Sequence, residues 1–124
     1  SLAQTLNDGV YGLIKDLKRI GKYDDTLILI AGEFGRTPNI NGNDGRDHFP
    51  RSFSTILAGG KIKKQELGKS NELGTQVANG ITIPQLSYSI MNMLKVNPDH
   101  WFETSVGRPI KLTPKKEPIP NFIL

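Results

Sequence analysis

Residues 26–31, TLILIA, constrain the fold more than any other stretch of the chain. The run is short, holds Thr26, Ile28 and Ile30 as β-branched residues, and is apolar on both alternating faces. That is the pattern of a central strand covered on both sides. Upstream, Leu2, Leu6, Val10, Leu13, Ile14, Leu17 and Ile20 recur three and four residues apart, which predicts an amphipathic helix over 2–20. Gly9 and Gly12 weaken it locally. Lys18 and Arg19 suit its C-terminal dipole end, Gly21 suits the C′ position, and KYDD (22–25) reads as the turn. A helix, a tight turn and a two-sided strand together predict an α/β fold with layered packing.

The strand runs into AGEFGRTPNINGNDGRDHFP, residues 31–50. From Gly32 to about Pro50 no regular element is predicted, and irregular stretches of that length in compact domains are usually functional. FSTILA (53–58) then predicts a second strand, ended by Gly59-Gly60. Residues 61–80 are polar and broken by glycine, with Gln65–Gly68 and Gln76–Ala78 as weak strand candidates in a hairpin. Thr82-Ile83-Pro84-Gln85 is a helix start with a capping box and an early proline, and Leu86, Ile90, Met93 and Leu94 mark the expected buried stripe. Asn97-Pro98 stops that helix. The segment from about 103 to 124 carries Pro109, Pro114, Pro118 and Pro120 and reads as an extended tail on a single-domain segment spanning 1–124.

Composition excludes several classes. With 124 residues and 36% hydrophobic residues, the chain has the size of one domain with a modest core. It has no cysteine, hence no disulfide framework and no thiolate metal site. Its longest apolar run is far too short to span a bilayer, and its first residues lack a signal-peptide pattern. The net charge of +4 comes with lysines at 15, 18 and 22, at 61, 63, 64 and 69, and at 111, 115 and 116. Without interleaved aromatic residues these read as solvated surface, and no specific nucleic-acid partner is expected.

The loop concentrates the chemistry. Glu33 lies just past the C-terminal end of the first strand, where ligands bind in open α/β sheets. His48 precedes the second strand, so a loop that folds back brings the two together if the strands are neighbours. A carboxylate and an imidazole suit Zn²⁺, Mn²⁺ or Fe²⁺, and Asp44 and Asp47 are further oxygen donors. Arg36, Arg46 and Arg51 stand in a stretch without lysine, and the guanidinium fork suits phosphate or sulfate. Each residue also has a plain structural role open to it. Glu33 could pair with Arg36, His48 could be a structural hydrogen-bonding residue, and Arg36 and Arg51 could clamp backbone carbonyls. Asp44 suits a turn, and His100 beside Trp101 and Phe102 suits packing.

The combination GEFGRTP (32–38), NGNDGRDHFPRSFS (41–54), LAGG (57–60), ELG (72–74), ITIPQLSYSIMNMLKVNP (81–98) and GRPI (107–110) resembles the C-terminal signature of a family of exported bacterial proteins. That family is the domain of unknown function fifteen-oh-one, which is similar to sulfatases and the alkaline phosphatase superfamily. The resemblance covers almost the whole chain. It implies the C-terminal part of an α/β/α layered sheet with flanking helices, and hydrolysis of phosphate or sulfate esters with divalent metal (Zn, Mn or Ca). By position it implies Glu33, Asp47 and His48 as metal ligands, and Arg36, Arg46 and Arg51 as binders of an anionic small-molecule or glycan ester. Phe34 stands where the superfamily carries a metal-binding His, and Glu33 where it carries Asp. The nucleophile and the upstream ligands are expected outside this chain, so activity of the segment alone is not expected. The resemblance also implies a periplasmic or secreted location. A sheet cut at an edge predicts self-association. The alternative is a non-catalytic binding or scaffold module in which residues 32–51 form a structural loop.

Overall fold

The computed structural model describes residues 1–113 and 117–123, so Pro114, Lys115 and Lys116 of the expected tail, and Leu124, lie outside the described residues. The elements are α1 (Leu2–Arg19), a 3₁₀ turn (Tyr23–Asp25), β1 (Leu27–Ala31), β2 (Gly35–Arg36), β3 (His48–Phe49), β4 (Thr55–Gly59), β5 (Lys69–Ser70), β6 (Val77–Ala78), α2 (Ile83–Met93), β7 (Trp101–Glu103) and β8 (Pro109–Lys111). The mixed α/β class is as expected. The strands form separate two-stranded antiparallel sheets, β1–β4, β2–β3, β5–β6 and β7–β8. The chain divides into two compact units, 1–31 with 55–62, and 32–54 with 63–124.

In the first unit, α1 begins at Ser1, whose hydroxyl accepts from the Gln4 N–H at 3.4 Å. It ends in a Schellman turn: the Lys22 N–H reaches the Leu17 carbonyl at 2.8 Å and the Gly21 N–H the Lys18 carbonyl at 3.2 Å, with Gly21 at φ +68°. β1 and β4 pair from Leu27↔Gly59 to Ala31↔Thr55. The expected covering of β1 on both faces is not found: Ile28 is buried, but Leu29 is 46% exposed and its neighbour strand's Ile56 61% exposed. An apolar run records what both faces prefer, and a two-stranded ribbon lacks the layers to satisfy them. The turn back from β4 needs glycine. Gly59 has φ +74°, and a Cβ there would sit 2.2 Å from the Thr26 carbonyl oxygen.

In the second unit, the stretch predicted to lack regular structure contains the short ladder β2–β3, and the hairpin strand expected at 65–68 forms instead at Lys69–Ser70. α2 has the full capping box: the Gln85 N–H reaches the Thr82 hydroxyl and the Thr82 N–H reaches the Gln85 side chain at 3.0 Å. Its buried residue is Ser89, not the apolar stripe; Leu94 is 54% exposed. The Ser89 hydroxyl donates to the Gln85 carbonyl and accepts from the Ile119 N–H, each at 2.8 Å. The chain end therefore covers this side of α2, and Ile119 and Phe122 are buried. The Lys63 N–H to Phe122 carbonyl bond (3.1 Å) and the Gln65 amide to Asn121 carbonyl bond (3.1 Å) hold the same segment. Ahead of it, β8, inside the tail expected from about 103, pairs antiparallel with β7 at the start of that tail, with Trp101 opposite Lys111.

Candidate functional site: the loop from Gly32 to Ser54

The loop is built from its own side chains. The pairs Gly35↔Phe49 and Arg36↔His48 make its base. Above them, the Thr37 N–H donates to the Asp47 carbonyl at 3.0 Å, and the Asp47 N–H donates to the Thr37 hydroxyl at 3.1 Å. The tip is organised by Asn41. Its side-chain oxygen accepts from the Asn43 and Gly45 N–H groups, both at 3.0 Å, and its Nδ2 donates to Asp47 Oδ1 at 2.8 Å. Asp44 occupies the turn with φ +54°, the role its NDG context suggests. The Asn41 side chain thus adds to the backbone bonds of the tip, from the Asn41 N–H to the Gly45 carbonyl at 2.8 Å and from the Asp44 N–H to the Asn41 carbonyl at 3.3 Å.

Two of the three arginines brace this frame. Arg36 Nη1 donates to the Arg46 carbonyl at 3.0 Å, and Arg46 Nη1 donates to the Thr37 carbonyl at 2.7 Å and to the Pro38 carbonyl. Arg36 also lies over the Phe34 ring, 5.2 Å from its centroid. Phe34 in turn stacks on His48, with centroids 3.7 Å apart and planes inclined by 25°. Strand alternation and the Arg36↔His48 register explain this, because residues 34, 36 and 48 share one face of the ladder. The aromatic contact between His48 and Phe34 was not foreseen. Alternation across FGR and DHF puts each residue on a face of its own strand, but only the register between the strands brings the two rings together.

Glu33, Arg36, Arg46, Asp47, His48 and Arg51 are all exposed. Among the described residues the side chains of Glu33 and Arg51 make no hydrogen bond or ion pair. Both lie two residues beyond the Gly35↔Phe49 pair, at the open end of the ladder, whereas Arg36 and Arg46 are tied in toward its closed end. Among the described residues no three His, Asp or Glu side chains are grouped closely enough to hold a metal ion, and Asp47 spends Oδ1 on Asn41. Glu33, Asp47 and His48 are thus not drawn into one such group among the described residues. His100 packs edge-on to Phe102, with centroids 4.7 Å apart, as its aromatic surroundings suggested.

Among the described residues no helix is long and apolar enough to cross a membrane. Comparison with curated proteins finds no match, and comparison with solved structures finds none. A family model does match, and it spans nearly the whole chain, loop included. The chain belongs to the family described as protein of unknown function (DUF1501), whose model matches residues 1–123.

Proposed function

We propose that this chain is the C-terminal portion of a sulfatase-like hydrolase of phosphate or sulfate esters, inactive alone, with the layered sheet of that fold continued by residues outside it. The observation that supports this most is the division of labour in the loop. Arg36, Arg46, Asn41 and Asp47 build a braced frame, and Glu33 and Arg51 are left exposed and uncommitted at one end of it. An exposed guanidinium suits an anionic ester: Arg51 would bind the oxyanion and offset charge gathering on it. His48, fixed in orientation by Phe34, would add an imidazole edge. A divalent metal (Zn, Mn or Ca) at Glu33 and His48 would take its remaining donors from beyond this segment, so this chain alone would hold it only weakly. Exposed apolar residues of α1, Leu2 at 90% and Leu6 at 56%, suit the expected self-association, and the reading carries export with it.

A second reading has its own observation. The donations from Arg36 and Arg46 go to backbone carbonyls, as they would in a non-catalytic binding or scaffold module with a structural loop. Titration of the isotopically labelled chain with sulfate, phosphate and Mn²⁺, followed by NMR, separates the two. The hydrolase reading expects oxyanion shifts at Arg51 that vanish in Arg51→Ala, Mn²⁺ broadening at Glu33 and His48, and no turnover of aryl phosphate or sulfate. Silence at these residues toward every probe would overturn it in favour of the module.

A further inference from the structure

The chain holds two Asn-Gly pairs, Asn41-Gly42 and Asn79-Gly80, and they sit in opposite environments. We propose that Asn79 is a site of spontaneous deamidation and backbone isomerisation in the native protein, and that the loop frame protects Asn41 from the same reaction. The chemistry is intramolecular. The Gly80 backbone nitrogen, having lost its proton, attacks Asn79 Cγ; the N–Cγ bond forms, the Cγ–Nδ2 bond breaks, and ammonia leaves with the proton. Water then opens the five-membered imide at either carbonyl, giving aspartate or isoaspartate. The step needs only water, a glycine whose missing Cβ leaves its nitrogen accessible, and freedom of the asparagine side chain to turn toward it.

Asn79 has that freedom. It is exposed, it directly follows β6 at φ +52°, and among the described residues its side chain makes no hydrogen bond. Gly80 is exposed as well. Asn41 does not have it. Its side chain is held through both polar atoms by Asn43, Gly45 and Asp47, so turning Cγ toward the Gly42 nitrogen means breaking the tip of the loop. The Asp44-Gly45 pair, which could form the same imide by losing water, is restrained too, because the Gly45 N–H is donated to Asn41. Conversion at Asn79 adds a negative charge three residues before the Thr82 cap of α2, and the isoaspartate form adds a backbone carbon there.

The test is ageing of the full chain at mildly alkaline pH, with peptide mapping by mass spectrometry that separates Asn, Asp and isoAsp. In the folded chain Asn79 should convert about tenfold faster than Asn41 or more. In denaturant the two rates should converge, because both are then plain Asn-Gly pairs. Asp47→Ala removes one restraint and should speed conversion at Asn41 while leaving Asn79 unchanged. Equal rates in the folded chain, or faster conversion at Asn41, would overturn the proposal. So would a rate difference that persists in denaturant, since local sequence and not structure would then be its source.

Discussion

His48 lies almost flat against Phe34, with ring centroids 3.7 Å apart. The contact joins the two strands of a ladder only two residues long on each side, so it carries an unusual share of what holds the base of the loop. Replacing His48 by Ala should cost about 1 kcal/mol of stability, the size of an aromatic pair beyond its buried area. His48→Phe should restore most of that loss. Denaturant midpoints of the three proteins check this; equal loss in both variants would show that the imidazole, and not the stacking, matters.

Gly35 is the tightest position in the loop. A Cβ there would lie 1.9 Å from the Ser52 carbonyl oxygen and 3.1 Å from that of Phe49, and both are backbone atoms that cannot swing away. Gly35→Ala should therefore destabilise by about 3 kcal/mol, at the upper end of overpacking costs. Gly42→Ala, with nothing within 4 Å, is the matched control and should be nearly silent. Chemical denaturation of both variants decides it.

Ser89 joins α2 to the chain end through the Ile119 N–H. Removing the hydroxyl in Ser89→Ala strands a donor on a residue that is 4% exposed, at a cost of about 1–3 kcal/mol. The same change should speed proteolysis after residue 117 more than elsewhere. Unaltered cleavage with unaltered stability would mean that Ser89 is a bystander.

Lys95 follows α2 in a left-handed conformation, φ +57°, where glycine is normally favoured. Its N–H and that of Val96 close a Schellman turn on the Asn92 and Met91 carbonyls at 3.1 and 2.9 Å. Lys95→Gly should stabilise by about 0.5–1 kcal/mol by relieving the Cβ strain, and Lys95→Ala should not. A gain in both variants would point to charge instead. Thermal melts of the pair are sufficient.

The apolar face of α1 is open, with Leu6 56% and Leu13 47% exposed. Self-association through it should be visible by light scattering as mass that rises with concentration. Leu6→Lys should suppress the rise with helicity retained. A wild-type chain that stays monomeric throughout would remove this expectation.

The pattern of legibility follows from the range of the interactions. α1 and the α2 capping box were readable because helix periodicity and caps are set within four residues. The Asp44 turn was readable for the same reason. The carbonyl clamp was readable as an alternative for Arg36 and Arg51, but it is Arg36 and Arg46 that make it, since a guanidinium serves carbonyls and oxyanions equally well until partners are in reach. The Asn41 brace, the Phe34–His48 stack and the burial of Ser89 by Ile119 left no unambiguous mark, because each depends on residues brought together across 6, 14 and 30 positions of chain.

By itself, then, the sequence determined the two helices, the two longer strands β1 and β4, the mixed α/β class, and which loop gathers the charged residues, all through short-range backbone preference and side-chain periodicity. Tertiary structure alone decided that β1 pairs antiparallel with β4 and that Ser89 is the buried contact of α2. It also decided that Asn41, Arg36 and Arg46 spend their hydrogen bonds on the loop frame while Glu33 and Arg51 do not. The physical reason is that a polar group's role is set by the partner it finds, and those partners meet only when the chain has folded.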